Sequence, residues 1–158
     1  MNVDRLWAPW RIGYLRKLKD KRCIFCALPK QKNDKKNSIL ERRRSCFSIL
    51  NIYPYNNGHV MVAPYKHISD IDALNEKDLL ELLSLMKDTK KKIKKALKPD
   101  GFNIGLNIGK AGGAGFDGHI HIHIVPRWFG DTNFMTSVSE TKVISQSLES
   151  LYNKLKRC

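Results

Sequence analysis

Several features are scarce in this sequence, and each scarcity excludes a class of protein. No apolar run reaches the roughly 20 residues that a helix needs to span a bilayer, so we expect no membrane partner. Only 4 of the 158 residues are cysteine, too few for a disulfide-stabilised miniprotein. With 10 glycines, 6 prolines and 42% hydrophobic residues, the chain is neither collagen-like nor disordered. We therefore expect a globular protein.

The chain shows no internal repeat and no flexible linker that would divide it. Its first 15 residues, MNVDRLWAPWRIGYL, lack the basic segment and apolar core of a secretory signal, so we expect a cytoplasmic protein. Residues 1–22 are predicted to form an arm rich in tryptophan and basic residues. Residues 23–135 are predicted to form the main domain, and residues 136–158 a C-terminal helical extension.

Acidic side chains are also scarce, with 15 Asp and Glu against 29 Lys and Arg, giving a formal charge of +14. Such a surface attracts polyanions, including nucleic acid and nucleotides. The alternative is a solvated helix face, because much of the excess lies in the lysine run at 90–95. The charge alone identifies no function.

The hydrophobic patterns predict an α+β protein, with an antiparallel sheet, one main helix, a C-terminal helix and an N-terminal arm. Strands are predicted at 47–52, 59–63, 102–108 and 119–125, with the first two joined by a turn at 53–58. The main helix is predicted to begin after Asn75, a capping residue, and to end before Pro99. The C-terminal helix is predicted to start at Ser145.

Three histidines alternate with isoleucines in the predicted strand at 119–125. Because successive side chains of a strand point to opposite faces, His119, His121 and His123 should share one face. The isoleucines at 120, 122 and 124 should lie on the other face, in a core. Two functions fit such a row: a metal site, or a nucleophile supported by its neighbours.

A glycine-rich loop, GKAGGAGFDG at 109–118, directly precedes this strand. Glycines allow backbone N–H groups to approach phosphate oxygens closely. Beside three histidines, such a loop favours phosphoryl or nucleotidyl transfer by an imidazole nucleophile.

The segment His-Ile-His-Ile-His-Ile-Val at 119–125 resembles the signature of the histidine triad family. The segments at 50–54 and 57–62 are similar to the first hairpin of that family. The segments at 6–11 and 125–135 are similar to its prokaryotic branch of diadenosine tetraphosphate phosphorylases, or ATP adenylyltransferases. The resemblance implies that residues 23–135 form a histidine triad domain, and that the protein forms a homodimer.

The resemblance also implies a mechanism. His121, expected to face an open cleft, would attack the α-phosphorus of a dinucleoside polyphosphate and form a covalent AMP–histidine. Phosphate or water would then accept the AMP. His123 and His59 would bind phosphate oxygens and orient the nucleophile. The residues expected to contact nucleotide or phosphate are Asn51, Asn107, Gly112, Gly113, Gly115 and Trp128. Trp128 could instead pack across a dimer interface.

Cys23 and Cys26 form a C-x-x-C pair, which is either a redox pair or half of a zinc site. The resemblance implies that His67 and His119 complete a zinc site with them. Two thiolates and two imidazoles would make a closed, structural site. The alternative is a pair of reduced cysteines without metal.

Other functions stay open beside the phosphorylase. One is a hydrolase of the same family that acts on dinucleoside polyphosphates or AMP conjugates, and another is a nucleotide-binding signalling module with little turnover. The expected partners are adenine nucleotides and inorganic phosphate. The intact triad argues against nucleic acid as the main ligand, although the charge of +14 suggests it.

Overall fold

A five-stranded antiparallel sheet with three α-helices forms the described part of the protein, residues 23–132 and 144–158 of a computed structural model. This arrangement confirms the α+β prediction. The predicted N-terminal arm, the residues from 133 to 135 in the second family segment, and the start of the C-terminal extension lie outside the described residues. No helix among the described residues is long and apolar enough to cross a membrane.

The strands lie in the order β1-β2-β3-β5-β4, and each neighbouring pair is antiparallel. Their bounds are β1 Ile39–Arg42, β2 Cys46–Leu50, β3 Val60–Pro64, β4 Gly101–Leu106 and β5 Ile122–Arg127. Strand β1, only four residues long, was not predicted. The turn between β2 and β3 requires glycine at Gly58, where φ is +79° and a Cβ would lie 2.5 Å from Leu97 Cδ1.

The prediction that a strand begins at His119 was wrong, because the ladder of β5 begins at Ile122. Before Ile122 the backbone forms hydrogen bonds with a loop instead of a strand, since the Ile120 N–H donates to the Ile68 carbonyl at 2.7 Å. His119 and His121 therefore precede the regular strand. The predicted alternation nevertheless holds for the isoleucines, since Ile120, Ile122 and Ile124 are all buried.

The helices are α1 Ile24–Lys30, α2 Glu76–Leu97 and α3 Leu148–Lys156, with a short 3-10 helix at Ile71–Ala73. The main helix, α2, begins as predicted, because the Asn75 side chain accepts a hydrogen bond from the Asp78 N–H at 2.8 Å. Helix α3 begins later than predicted, because Ser147 rather than Ser145 caps it. Helix α1, which was not predicted, follows Cys23 and contains Cys26.

The sheet separates two cores. On the side that we call the helical face, α2 and α3 pack on apolar side chains of four strands, including Leu50, Val60, Val62, Ile122 and Ile124. On the other side, the histidine face, Phe25 of α1 packs with Phe47, Ile49 and Met61. His123 pairs with Met61 across β5 and β3, which places His123 on the histidine face.

Candidate functional site

The antiparallel pairing of β3 with β5 brings His59 against the histidine row. His59 precedes β3, and its Nε2 lies 2.9 Å from Nδ1 of His123. The rings of His121 and His123 lie 4.7 Å apart, centroid to centroid. The three histidines expected to carry the chemistry are thus one contiguous group, although His59 is 64 residues from His123 in sequence.

A chain of hydrogen bonds determines which nitrogens of His59 and His123 carry protons. The Tyr55 backbone N–H donates to His59 Nδ1 at 3.1 Å, so the proton of a neutral His59 lies on Nε2. That Nε2–H then donates to His123 Nδ1. A neutral His123 therefore carries its proton on Nε2, as a donor available to a ligand.

His121 has the opposite tautomer. Its Nδ1 lies 2.9 Å from the carbonyl oxygen of His119, which can only accept, so Nδ1 carries the proton. The lone pair of a neutral His121 is therefore on Nε2. An imidazole held in this way is a suitable nucleophile.

Burial keeps these imidazoles neutral. Desolvation, reinforced by the neighbouring His123 and His121, lowers the pKa of His59 to about 3. Desolvation and the proximity of His121 lower the pKa of His123 to about 4. Desolvation also lowers the pKa of His121, against the raising effect of its bond to the His119 carbonyl. At neutral pH each ring therefore presents the single-proton form that the hydrogen bonds require.

The expectation that His121 faces an open cleft was wrong. The residue is only 6% exposed, and the ring of Phe25 is stacked on it with centroids 4.6 Å apart. Phe25 belongs to α1, the helix that the sequence patterns did not predict. On the other side of the group, the exposed Tyr55 ring contacts His59 and His123, with centroid distances of 4.8 and 5.7 Å.

A second cluster adjoins the first. Cys23, Cys26, His67 and His119 each bring one ligand atom into a group in which all atoms lie within 4.8 Å of one another. Cys23 Sγ is 3.3 Å from His119 Nδ1, and Cys26 Sγ is 3.4 Å from His67 Nδ1. The two imidazole Nδ1 atoms are 3.3 Å apart. These four residues could hold a metal ion.

The geometry and protonation of the cluster fit a tetrahedral metal. Metal–ligand bonds of about 2.0–2.3 Å imply ligand-to-ligand distances of about 3.3–3.8 Å. Four ligand pairs lie in that range: the three given above, and Cys26 Sγ with His119 Nδ1 at 3.5 Å. His119 Nε2–H donates to the Pro64 carbonyl at 2.9 Å, which leaves its Nδ1 lone pair directed into the cluster. Both cysteines are free of disulfides.

The remaining predicted contacts lie around this centre. Asn51 accepts a hydrogen bond from the Tyr53 N–H at 2.9 Å, and its Nδ2 lies 3.3 Å from His59 Nδ1. Asn107 Nδ2 donates to the Gly113 carbonyl at 3.3 Å, within the glycine-rich loop. That loop, which also contains Gly112 and Gly115, is largely exposed. Its Phe116 ring meets Phe25 edge-on.

Trp128 lies at the end of β5, away from these hydrogen bonds. Its backbone N–H donates to Asp131 Oδ2 at 3.2 Å, in a turn that Arg127 also joins through a bidentate ion pair with Asp131. The assignment of Trp128, Asn51, Asn107 and the glycines to nucleotide binding stays a prediction. The sequence patterns missed Phe25 and Tyr55, and the position of Phe25 between two cysteines was the one available signal for it.

Comparison with known proteins agrees with this geometry. Residues 31–130 match the HIT domain family. The chain is 37% identical over 155 residues to AP-4-A phosphorylase of Mycobacterium tuberculosis strain CDC 1551, covering 92% of this chain and 79% of that protein. It is 28% identical over 117 residues to the asymmetrical bis(5'-nucleosyl)-tetraphosphatase of Schizosaccharomyces pombe, covering 73% of this chain and 64% of that protein.

A solved structure extends the similarity to the fold. A Zn-bound histidine triad family protein from Mycobacterium smegmatis superposes with a TM-score of 0.70 at 25% identity. The match covers 87% of this chain and 92% of that one.

Proposed function

The chain belongs to the HIT domain family, and from that premise we propose that it is a nucleotidyltransferase that cleaves dinucleoside polyphosphates such as diadenosine tetraphosphate. The observation that carries the proposal is the tautomer of His121, whose Nδ1–H is held by the His119 carbonyl so that Nε2 is free. The similarity to AP-4-A phosphorylase supports the substrate class.

In the first step, the Nε2 lone pair of His121 attacks the α-phosphorus. A P–N bond forms, and the bond from that phosphorus to the bridging oxygen breaks, so that ATP leaves diadenosine tetraphosphate as an anion. The result is a covalent AMP–histidine, which divides one difficult displacement into two easier ones. His123 supports this step, because its Nε2–H can donate to a phosphate oxygen while His59 holds its other nitrogen.

In the second step, an acceptor attacks the phosphorus of the AMP–histidine, the P–N bond breaks and His121 is regenerated. We propose inorganic phosphate as the acceptor, which gives ADP. The 37% identity to a phosphorylase and the formal charge of +14, which concentrates anions, support this choice. A hydrolase, in which water gives AMP, is the second candidate, and the similarity to a tetraphosphatase favours it.

The substrate contacts follow the family assignment. We place the ribose against Asn51 and the phosphates against Asn107 and the backbone of the glycine-rich loop, with Trp128 near the second substrate. In support, Asn51 is already within 3.3 Å of His59. Gly113, with φ at +84°, adopts a backbone conformation that other residues rarely adopt.

We propose that the metal of the Cys23, Cys26, His67 and His119 cluster is zinc. Two thiolates and two imidazoles in a tetrahedral arrangement suit zinc, and such a closed set is structural. The ion would hold α1 to the segment that precedes β5, because Cys26 is on α1 and His119 lies just before the strand. The Zn-bound relative supports the choice of metal.

We also propose that the protein is a cytoplasmic homodimer whose sheets join along β4. In the described sheet β4 pairs with β5 alone, and its Asn103, Ile104 and Gly105 are exposed. Exposed edge strands favour pairing with another chain. Phe129, whose backbone N–H donates to Asp100 just before β4, is 94% exposed and adds an apolar surface beside that strand.

Product analysis tests the proposed reaction. The metal-loaded protein is incubated with diadenosine tetraphosphate, with and without inorganic phosphate, and the nucleotides are separated by chromatography. We expect ADP and ATP, with a strong dependence on phosphate. Equal rates of AMP and ATP formation in both conditions would identify a hydrolase. Nucleotide binding without turnover would instead identify the signalling module.

A further inference from the structure

A cavity lies on the helical face of the sheet, away from the histidines. It lies between β1, β2, α2 and α3, is partly open to solvent beside the exposed Lys156, and has a volume of about 90 Å³. Its lining residues are Leu40, Ser48, Thr89, Lys92, Ile93, Leu155 and Lys156. Because about 10–15 Å³ suffices for one water molecule, the cavity has room for a larger guest.

Two hydroxyls of this cavity have no hydrogen-bond partner. Ser48 Oγ and Thr89 Oγ1 are both buried, in residues that are only 1% and 3% exposed. Buried polar atoms are almost always paired in folded proteins, because removing them from water without a partner is unfavourable. Two such atoms in the lining of one cavity indicate that something inside it completes their hydrogen bonding.

The other polar groups of the cavity are ammonium groups. Lys156 Nζ donates to the Leu40 carbonyl at 2.9 Å, and Lys92 Nζ donates to Glu41 Oε2 at 2.5 Å. An ammonium has three hydrogens, so each retains two after these bonds. No acidic side chain is among the lining residues of the cavity. The carboxylate of Glu41, which is outside that lining, is paired with Lys92.

We propose that this cavity is a binding site for a small oxyanion of the phosphate or carboxylate class. Its two hydroxyls and two ammonium groups are all able to donate, and a compact oxyanion offers acceptors to each of them. The walls of Leu40, Ile93 and Leu155 reduce the contact with water that would weaken such bonds. The site lies across the sheet from His121, so it is distinct from the proposed catalytic centre.

Backbone amide NMR of the full-length, metal-loaded protein tests this site. Sodium phosphate and sodium acetate are titrated separately at constant ionic strength. We expect saturable shifts of the amides of Ser48, Thr89 and Lys156 with at least one of the two ions. Which ion binds more tightly then identifies the source of the oxyanion as phosphate or carboxylate.

Matched variants locate the binding. Thr89→Val removes the hydroxyl while it keeps the shape, and Thr89→Ser restores a hydroxyl. We expect Thr89→Val to weaken binding about tenfold, and Thr89→Ser to bind nearly as well as the wild type. Lys156→Met, at an exposed position, should weaken binding at least as much and provides the test if Thr89→Val does not fold.

Three results would overturn the site. The first is no saturable shift at these amides, which means that the cavity holds water only. The second is a set of shifts that Thr89→Val and Lys156→Met leave unchanged, and the third is shifts confined to the amides around His121 and His123. The last result would leave the proposed catalytic function intact, because phosphate would then bind only at the histidine face. Conversely, loss of turnover in His121→Gln has no bearing on the cavity.

Discussion

The two faces of the sheet are built from the same strands but differ in chemistry, since one is apolar and the other carries histidines. On the helical face, Val60 and Val62 of β3 meet Ile122 and Ile124 of β5 in a continuous apolar core. On the histidine face, the intervening positions of the same strands are Met61 and His123. Here three buried histidines, His59, His119 and His121, depend on particular hydrogen-bond partners.

The apolar core that stabilises the fold and the side chains of the proposed reaction therefore lie on opposite faces of one sheet. The helical face stabilises the folded state by removing apolar surface from water. The histidine face buries groups that must stay neutral, which makes the folded state sensitive to pH and to the loss of any partner.

Replacing His121, the proposed nucleophile, should have the largest effect. His121→Gln retains most of the volume under Phe25, and its amide can still donate to the His119 carbonyl, so the fold should persist. We expect turnover of diadenosine tetraphosphate to fall by about 10⁴-fold or more, because the variant cannot form the covalent intermediate. Turnover is measured with the wild type and the variant at equal folded concentration.

Detection of the proposed AMP–histidine intermediate provides the control. We expect mass spectrometry of the wild type, quenched at alkaline pH, to detect an acid-labile AMP adduct on the peptide that contains His121. His123→Ala should react more slowly but still form the adduct. Substantial turnover in His121→Gln, or an adduct on a lysine, would contradict the histidine mechanism.

Leu85→Ala changes the packing of the helical face. Leu85 is fully buried in the core between α2 and the sheet. The truncation should lower the free energy of unfolding by about 2–5 kcal/mol, because it leaves a cavity in a packed core. Urea denaturation measures that loss, while turnover per folded molecule should be unchanged. A specific loss of turnover would show that the two faces are not independent.

Cys23→Ser weakens the cluster that joins α1 to the segment before β5. Changes to outer-shell partners alone lower metal affinity by about 10–100-fold, so loss of a direct ligand should lower it at least as much. Because metal binding is coupled to folding, the melting temperature should fall as well. Elemental analysis and calorimetry measure both quantities, with Cys158→Ser, at an exposed cysteine outside the cluster, as the matched control.

Stability should fall in acid because of the histidine face. The pKa values of His59 and His123 lie near 3 and 4 in the folded protein, below the ordinary 6.5. Between those values and 6.5 the unfolded chain binds protons that the folded chain does not, so stability is full above 6.5 and is lost as the pH falls. For the buried His59 the slope is at most about 1.4 kcal/mol per pH unit. The more exposed His123 should contribute less.

Urea denaturation at several values between pH 4.5 and 7, about the range in which the histidines differ between the two states, measures that slope. The slope should decrease in His59→Asn, which cannot titrate. A slope that is the same in wild type and variant would contradict the assignment.

Phe25→Leu should have the smallest effect. The change keeps an apolar cover over His121 but removes the ring that stacks on it at 4.6 Å. Stacking of this kind contributes about 1 kcal/mol, which corresponds to roughly a fivefold change. We expect turnover to fall by that factor at unchanged metal content. An equal loss of metal would show that Phe25 acts through the cysteine cluster instead.

The sequence predicted elements where the local signal is strong. Helix α2 has a capping Asn75, leucines at helical spacing and Pro99 beyond its end, and it begins at the predicted position. Strand β1 and helix α1 were missed because their signals are weak: β1 has four residues, and α1 has seven, including Pro29. Such short segments depend on tertiary contacts for their stability.

From the residues alone, the sequence predicted the two faces and left the histidine row as either a metal site or a nucleophile. Backbone geometry requires alternation in an extended chain, so the pattern of histidine and isoleucine at 119–124 already separates a reactive side from a core. The resemblance to the histidine triad family implied His121 as the nucleophile, added His59 and His67, and joined the cysteine pair already singled out at 23–26 to His67 and His119.

The closure of the site and the protonation of its histidines depend on contacts between distant segments of the chain. The contact of Cys23 with His119 spans 96 residues, and no local pattern specifies such a distance. Packing between distant segments buries His121 under Phe25 and directs the lone pair of His119 at the cysteines. It also sets the tautomers of the three catalytic candidates, His59, His121 and His123. Alternation is a property of one strand, whereas desolvation and hydrogen-bond partners are supplied by the rest of the fold.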